Sequence, residues 1–309
     1  MFIRIYNTLI RILYPLVIAR YIKKRKENGK EDIKRFNERI GRPSMKRPEG
    51  TLIWFHGASV GESLSMLPLI HKMLEIYPDA HIMVTTGTIT SAELMAKRLP
   101  ERAFHQYITI DNPLFTTRFI KYWRPDLGLW FESDLWPAML SGIKRKNIPL
   151  ILVNGRISNK SFKRWQQFDF ISKELLGCFS LCLGQSEEDA YRLRVLGARE
   201  AVYLGNLKYA GLPLPIDRDK ENEITSQING RTVWLASSTH HNEEAKIARM
   251  HKRLKEKFPD LLTIIAPRHP HRGPEIMEAI HETGLTASLR SENGKITPQT
   301  DIYVANTVG

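Results

Sequence analysis

"TLIWFHGASVGESLSMLPLIHKML", residues 51–74, decides the fold. An apolar run of strand character reaches His56. The chain then turns through Gly57-Ala58-Ser59-Val60-Gly61, and residues 63–76 carry the apolar spacing of an amphipathic helix. A strand, a glycine-containing turn and a helix are the opening of a βαβ unit. The turn ends on an acid, Glu62, where many such turns hold a phosphate. The first turn of a helix carries partial positive charge from unpaired N–H groups. That field favours the carboxylate, so Glu62 is expected to stay ionised at neutral pH. The same carboxylate would repel a phosphate, which excludes a dinucleotide cradle here. At the carboxyl end of a parallel strand it is placed to accept a proton. The plainer reading is a helix-start glutamate.

The alternation continues outward from this stretch. "AHIMVTT", "FHQYITI", "LGLWFE", "PLILVN", "FSLCLG" and "AVYLGN" read as strands, with helical stretches such as "SAELMAKRL" and "SEEDAYRLRVLG" between them. Short apolar runs alternating with amphipathic helices predict an α/β fold with a parallel sheet covered on both faces. Residues 31–208 form the first, doubly wound domain. Residues 209–230, rich first in Pro and Gly and then in charge, read as a linker. The alternation restarts with "TVWLAS", "LLTIIAP", "LTASL" and "DIYVAN". A doubly wound domain typically runs about 100–150 residues, so residues 231–309 read as an incomplete second one.

Further candidates recur at strand ends, where open α/β sheets bind ligands. "FESDLWP" sets Glu132 and Asp134 just past a strand, with a helix start expected at Pro137; Trp136 reads as a packing anchor. "LGNLK" brings Asn206 and Lys208, a cation for developing negative charge. Ser238 and Thr239 in "ASSTHH" are helix-start residue types whose hydroxyls could also meet a phosphate. Arg268 in "APRHPHR" is a phosphate fork. Each has a plain structural alternative: a solvated acid, a surface lysine, a cap. The ten His are scattered, and no metal site is expected.

The chain has 309 residues, 42% of them hydrophobic, and a formal charge of +13. Residues 1–47 hold 14 Lys and Arg against 4 Asp and Glu, so the excess belongs to one end of the chain and no basic domain face for nucleic acid is expected. Within residues 1–30, Arg4 and Arg11 interrupt the apolar stretch, and a spanning helix wants about 20 apolar residues. A helix lying in a membrane interface, followed by the basic cluster Arg20 to Lys26, is the expectation. Packing on the domain with a solvated tail, and a true single span, are the alternatives. Cys178 and Cys182 sit in an apolar run and read as core thiols of a reducing compartment.

"HGASVGE", "ESDLWP", "NGRISNKS", "QSEEDAYRLRVLGA", "LGNLK", "ASSTH" and "APRHPHR" together resemble, in order and spacing, the bacterial Kdo transferases. The resemblance covers nearly the whole chain. It implies a GT-B-like architecture of two Rossmann-like domains, with transfer of 3-deoxy-D-manno-octulosonic acid from CMP-Kdo to a lipid A precursor, lipid IVA, at the cytoplasmic face of the inner membrane. The transfer would be inverting and need neither metal nor cofactor. By resemblance Glu62 is the general base, and Glu132 and Lys208 support the transition state. Pro267, Arg268, Ser238, Thr239 and the terminal Gly309 fall to the donor site. Asp134 stands where Glu is common, and "NGRIS" where "NARLS" is common. The family continues past "TVG" into glycine-rich and "HNPLEP"-like segments that close the CMP site. The chain is therefore expected to be inactive alone, with an open sheet edge. Another GT-B sugar enzyme, such as a nucleotide-sugar epimerase, and a non-catalytic membrane-surface remnant are the competing readings.

Overall fold

The computed structural model describes residues 2–14, 19–132, 134–210 and 216–307. The chain divides into two units, Met1–Pro213 and Leu214–Gly309. The first begins with helices α1 (Phe2–Leu13), α2 (Ala19–Glu27) and α3 (Phe36–Arg39). Then β1 (Leu52–His56), α4 (Val60–Ile76), β2 (His81–Thr86), α5 (Ile89–Arg98), β3 (Ala103–Tyr107), α6 (Pro113–Trp123) and β4 (Leu127–Phe131) follow. It closes with α7 (Pro137–Arg145), β5 (Leu150–Gly155), α8 (Asn159–Gln167), α9 (Asp169–Leu176), β6 (Leu181–Gly184), α10 (Glu187–Val195) and β7 (Ala201–Tyr203). The strands form one sheet, ordered β3-β2-β1-β4-β5-β6-β7, and every pairing in it is parallel.

Strands covered on both faces read as unbroken apolar runs, and β1 is buried at all five positions. Its side chains alternate: Leu52 and Trp54 enter one core with Trp123, Trp130 and Phe179, while Ile53 and Phe55 enter the other with Met66, Ile70 and Phe131. The sheet is therefore the shared wall of two cores. Both cysteines are buried and free, and burial pushes the Cys182 thiol up to about 12.

Helix α1 packs on the first unit with Ile3 buried. The Tyr6 hydroxyl donates to Asp111 (3.0 Å) and Asn7 to Ser141 (3.4 Å). Ile5, Leu9, Ile12 and Leu13 remain exposed on its outer side. Asn7, a polar residue of this apolar stretch, turns inward in the fold. Among the described residues no helix is long and apolar enough to cross a membrane.

The second unit holds α11 (Arg218–Ile228), β8 (Val233–Thr239), α12 (Glu243–Lys255), β9 (Leu262–Pro267), α13 (Gly273–His281), β10 (Ala287–Leu289) and β11 (Ile302–Val304). Its parallel sheet is ordered β10-β11-β9-β8. One expectation changes here. Residues 218–228, read as linker, form a helix capped by Asp217, whose carboxylate accepts from Lys220 N–H. Only Ile224 and Ile228, one turn apart, pack against the core of Leu262, Ile296 and Tyr303. Two anchors suffice for an otherwise exposed helix but leave little apolar period to read.

Candidate functional site

The site is built where β1, β4 and β5 end side by side. His56 pairs with Trp130, and Trp130 with Leu152, so the residues after these strands emerge as neighbours. Glu132 N–H donates to the Val153 carbonyl (3.0 Å), extending the ladder one residue past β4. Glu132 itself has a φ of 56°, in the left-handed region that favours glycine.

After β1 the turn is shorter than the sequence suggests. Val60 and Gly61 already belong to α4, and Ser59 is its N-cap. Ser59 Oγ accepts from Glu62 N–H at 3.2 Å and donates to Glu62 Oε1 at 2.8 Å. Glu62 Oε2 accepts from Ala58 N–H at 2.7 Å. This is a capping-box arrangement, so the plain helix-start role is real at Glu62. Gly57 eases it: a Cβ there would displace the Met66 methyl and crowd the Glu62 side chain.

At Glu62 burial works against the helix terminus. Glu62 is buried, and burial raises its pKa above the ordinary value. The Ala58 and Ser59 hydrogen bonds oppose the rise, and the charges of Glu132 and Asp134 add to it. Desolvation of a carboxylate outweighs two hydrogen bonds and a half-charge at a helix end. A rise is the direction that suits a general base, which works best with a pKa nearer the operating pH. Asp134 is raised as well, by burial and then by Glu132.

The "ESDLWP" segment is held at its far end. Trp130 Nε1 donates to the Asp134 carbonyl (2.6 Å), and Trp136 packs edge-on against His56 with centroids 5.5 Å apart. Trp136 is thus a packing residue, and α7 begins at Pro137 as expected. Asn154, near the end of β5, has a φ of 57° and is buried. Its Oδ1 accepts from Leu207 N–H at 3.3 Å. This draws the backbone of the "GNLK" turn, including Lys208, toward the other strand ends. Downstream of Asn154, the Ile157 N–H donates to Asp189 (2.8 Å) and its carbonyl accepts from Arg192. The "QSEEDAYRLR" motif therefore clamps the "NGRIS" loop.

In the second unit, Ser238 and Thr239 end β8 instead of starting α12. Ser238 has a φ of 58° and breaks the register between Ser237 and Thr239. The N-cap is Asn242. Thr239 is buried, and its hydroxyl donates to Glu244 (2.9 Å), which commits it inside the protein. Glu244 also takes a two-point contact from Arg272, at 2.9 and 3.1 Å. The two arginines of "APRHPHR" thus differ. Arg272 is occupied by Glu244 and Glu275. Arg268, at the end of β9 after Pro267, is exposed and makes no ion pair with a described residue. Gly309 lies outside the described residues. Among the described residues no three His, Cys, Asp or Glu side chains gather to hold a metal ion.

The residues that sequence reasoning missed are His56, Asn154, Asp111 and Arg272. His56 is fully buried; its Nδ1 pairs with Thr85 Oγ1 (2.9 Å) and burial pulls its pKa down to about 3. It is a neutral packing partner of the acid segment. Its place immediately before Gly57 was the only signal.

Residues 34–211 match the family model described as 3-Deoxy-D-manno-octulosonic-acid transferase (kdotransferase). A probable mitochondrial 3-deoxy-D-manno-octulosonic acid transferase of Arabidopsis thaliana is 38% identical, covering 99% of this chain and 70% of its own. The 3-deoxy-D-manno-octulosonic acid transferase of Rickettsia felis is 39% identical over 84% of this chain, which spans 56% of that protein's length. Among solved structures, the UDP-GlcNAc 2-epimerase of Neisseria meningitidis aligns with 84% of this chain and 73% of its own at a TM-score of 0.56 and 12% identity. That likeness shows a GT-B-like α/β fold and no more. The motifs, the family model and the relatives agree: the chain belongs to the 3-deoxy-D-manno-octulosonic acid transferases, a family of glycosyltransferases.

Proposed function

We propose that this chain transfers Kdo from CMP-Kdo to a lipid A precursor, lipid IVA, with inversion. The observation that carries the reading is the meeting of Glu62 with Glu132 and Asp134 at adjoining strand ends, where burial and those charges raise the Glu62 pKa. In the proposed step an acceptor hydroxyl gives its proton to Glu62 as its oxygen attacks the anomeric carbon of Kdo. The bond from that carbon to the CMP phosphate breaks, and CMP leaves with the electron pair. Glu132 and Lys208 stabilise the charge that develops. Pro267 and Arg268 hold the CMP phosphate; the exposure of Arg268 supports this, whereas Arg272 is already neutralised. Thr239 acts here through the fold of the β8 end. The outward apolar stripe of α1 beside Arg4 and Arg11 supports seating at the cytoplasmic surface of the inner membrane.

The test is transfer of labelled Kdo from CMP-Kdo to lipid IVA by residues 1–309 joined to the segments with which the family closes the CMP site, since these residues alone are expected to be inactive. Glu62→Gln should lower kcat by about 10²–10⁴ with folding retained, the usual worth of a general base. Near-normal turnover by that variant would remove Glu62 from the role.

A further inference from the structure

The first helix and helix α7, which follows the acid segment, share one carboxylate. Helix α7 follows directly on the residues Glu132 to Trp136, and its own N-cap residue, Trp136, offers no side-chain acceptor. The acceptor comes from elsewhere in the chain. Asp111 Oδ2 takes the Ala138 N–H at 3.1 Å and Oδ1 takes the Met139 N–H at 2.8 Å. The Tyr6 hydroxyl of α1 donates to the same Oδ2 at 3.0 Å. Asn7 adds a second link, to Ser141 one turn further along α7. From α7 the path continues without a gap. Trp136 packs on His56 and Trp130, and Trp130 holds the Asp134 carbonyl.

We propose that Tyr6 and Asp111 are positioning residues: through them the docked first helix sets the start of α7 and, with it, the segment that carries Glu132 and Asp134. A tethering helix needs only its outer apolar stripe. It does not need an inward tyrosine hydroxyl on the carboxylate that caps the helix beside the acids. The carboxylate is also costly to keep there. Burial raises the Asp111 pKa, and the two backbone N–H groups and the Tyr6 hydroxyl are the contacts that oppose the rise. Removing the tyrosine hydroxyl removes one of three donors that hold the cap in its charged form. The effect on catalysis rests on the transferase reading; the mechanical coupling does not.

Tyr6→Phe and Asp111→Asn in the full chain test this in two ways. Hydrogen exchange is read first. In Asp111→Asn, which keeps one carbonyl acceptor in place of two carboxylate oxygens, whichever of the Ala138 and Met139 amides loses its partner should exchange roughly tenfold faster, and both should exchange measurably faster in Tyr6→Phe. The milder Tyr6→Phe change keeps the test open should the aspartate variant fold poorly. Kinetics are read second, without membranes, on a short-chain soluble phosphoglucosamine acceptor. Both variants should lose kcat with donor KM unchanged. Exchange at 138–139 unaltered by Tyr6→Phe overturns the coupling. Altered exchange with full kcat overturns the catalytic consequence. The kinetics use the chain joined to the segments that close the CMP site in the family; absence of transfer by that protein defeats the transferase reading alone, since the exchange result still decides the coupling.

Discussion

Ser59 and Glu62 hold each other from both sides: the Ser59 hydroxyl accepts the Glu62 N–H and donates to the Glu62 carboxylate. One pair therefore starts helix α4 and tunes the proposed base. Ser59→Ala should cost about 1 kcal/mol, the usual worth of an N-cap. It also removes a contact that lowers the Glu62 pKa, so that pKa should rise. A base must be ionised to work, and the acid limb of the kcat/KM profile should move to higher pH. Denaturant melts and a pH–rate profile read the two effects separately.

Glu132→Gln should move the same limb the other way. The Glu132 charge raises the pKa of Glu62, and the amide has no charge. The limb should shift to lower pH even as kcat falls through loss of a transition-state contact. Opposite shifts from Ser59→Ala and Glu132→Gln would identify Glu62 as the titrating group. Shifts in the same direction would sink that assignment.

His56 and His105 set an acid limit on stability. Burial pulls both down to about 3 from an ordinary value of 6.5. The unfolded chain thus binds protons that the folded chain refuses, so stability falls as pH drops from 6.5 toward 3. His56→Gln should flatten part of that fall, whatever it costs at neutral pH. Chemical denaturation between pH 7 and 4 gives the slopes; equal slopes in the two proteins would contradict the account.

The first unit was legible because its strands are buried on both faces, and unbroken runs such as LIWFH leave a clear mark. The strand-end positions of Glu62, Glu132 and Asp134 were legible, but their electrostatics were not. Nothing local to Glu62 reveals that Glu132, 70 positions later in the chain, adds its field. The start of α4 was misplaced because Gly61 reads as part of a turn, although Ser59 and Glu62 already had capping-box spacing. Ser238 and Thr239 were misplaced for a related reason. Their residue types suit a cap, but β8 runs through them and Asn242, in the left-handed region, takes that position. Asp111 was invisible, since it caps a helix that begins 26 residues later.

The two arginines of "APRHPHR" separate binding from folding. Arg272 meets Glu244 at two points, and both side chains are largely withdrawn from water, 11% and 3% exposed. Removing one member of such a pair strands a buried charge, which typically costs about 3–5 kcal/mol. Arg272→Ala should therefore lower the thermal midpoint of the second unit strongly, whether or not nucleotide is present. Arg268 is exposed and without an ion pair to a described residue, so Arg268→Ala should leave the midpoint within about 0.5 kcal/mol of wild type, as surface changes usually do. Its effect should appear as weakened CMP binding by titration calorimetry, because a guanidinium suits a phosphate in two-point geometry. The reverse pattern, with Arg272 governing CMP affinity and Arg268 governing stability, would show that the nucleotide phosphate competes for the Glu244 partner and would relocate the donor site.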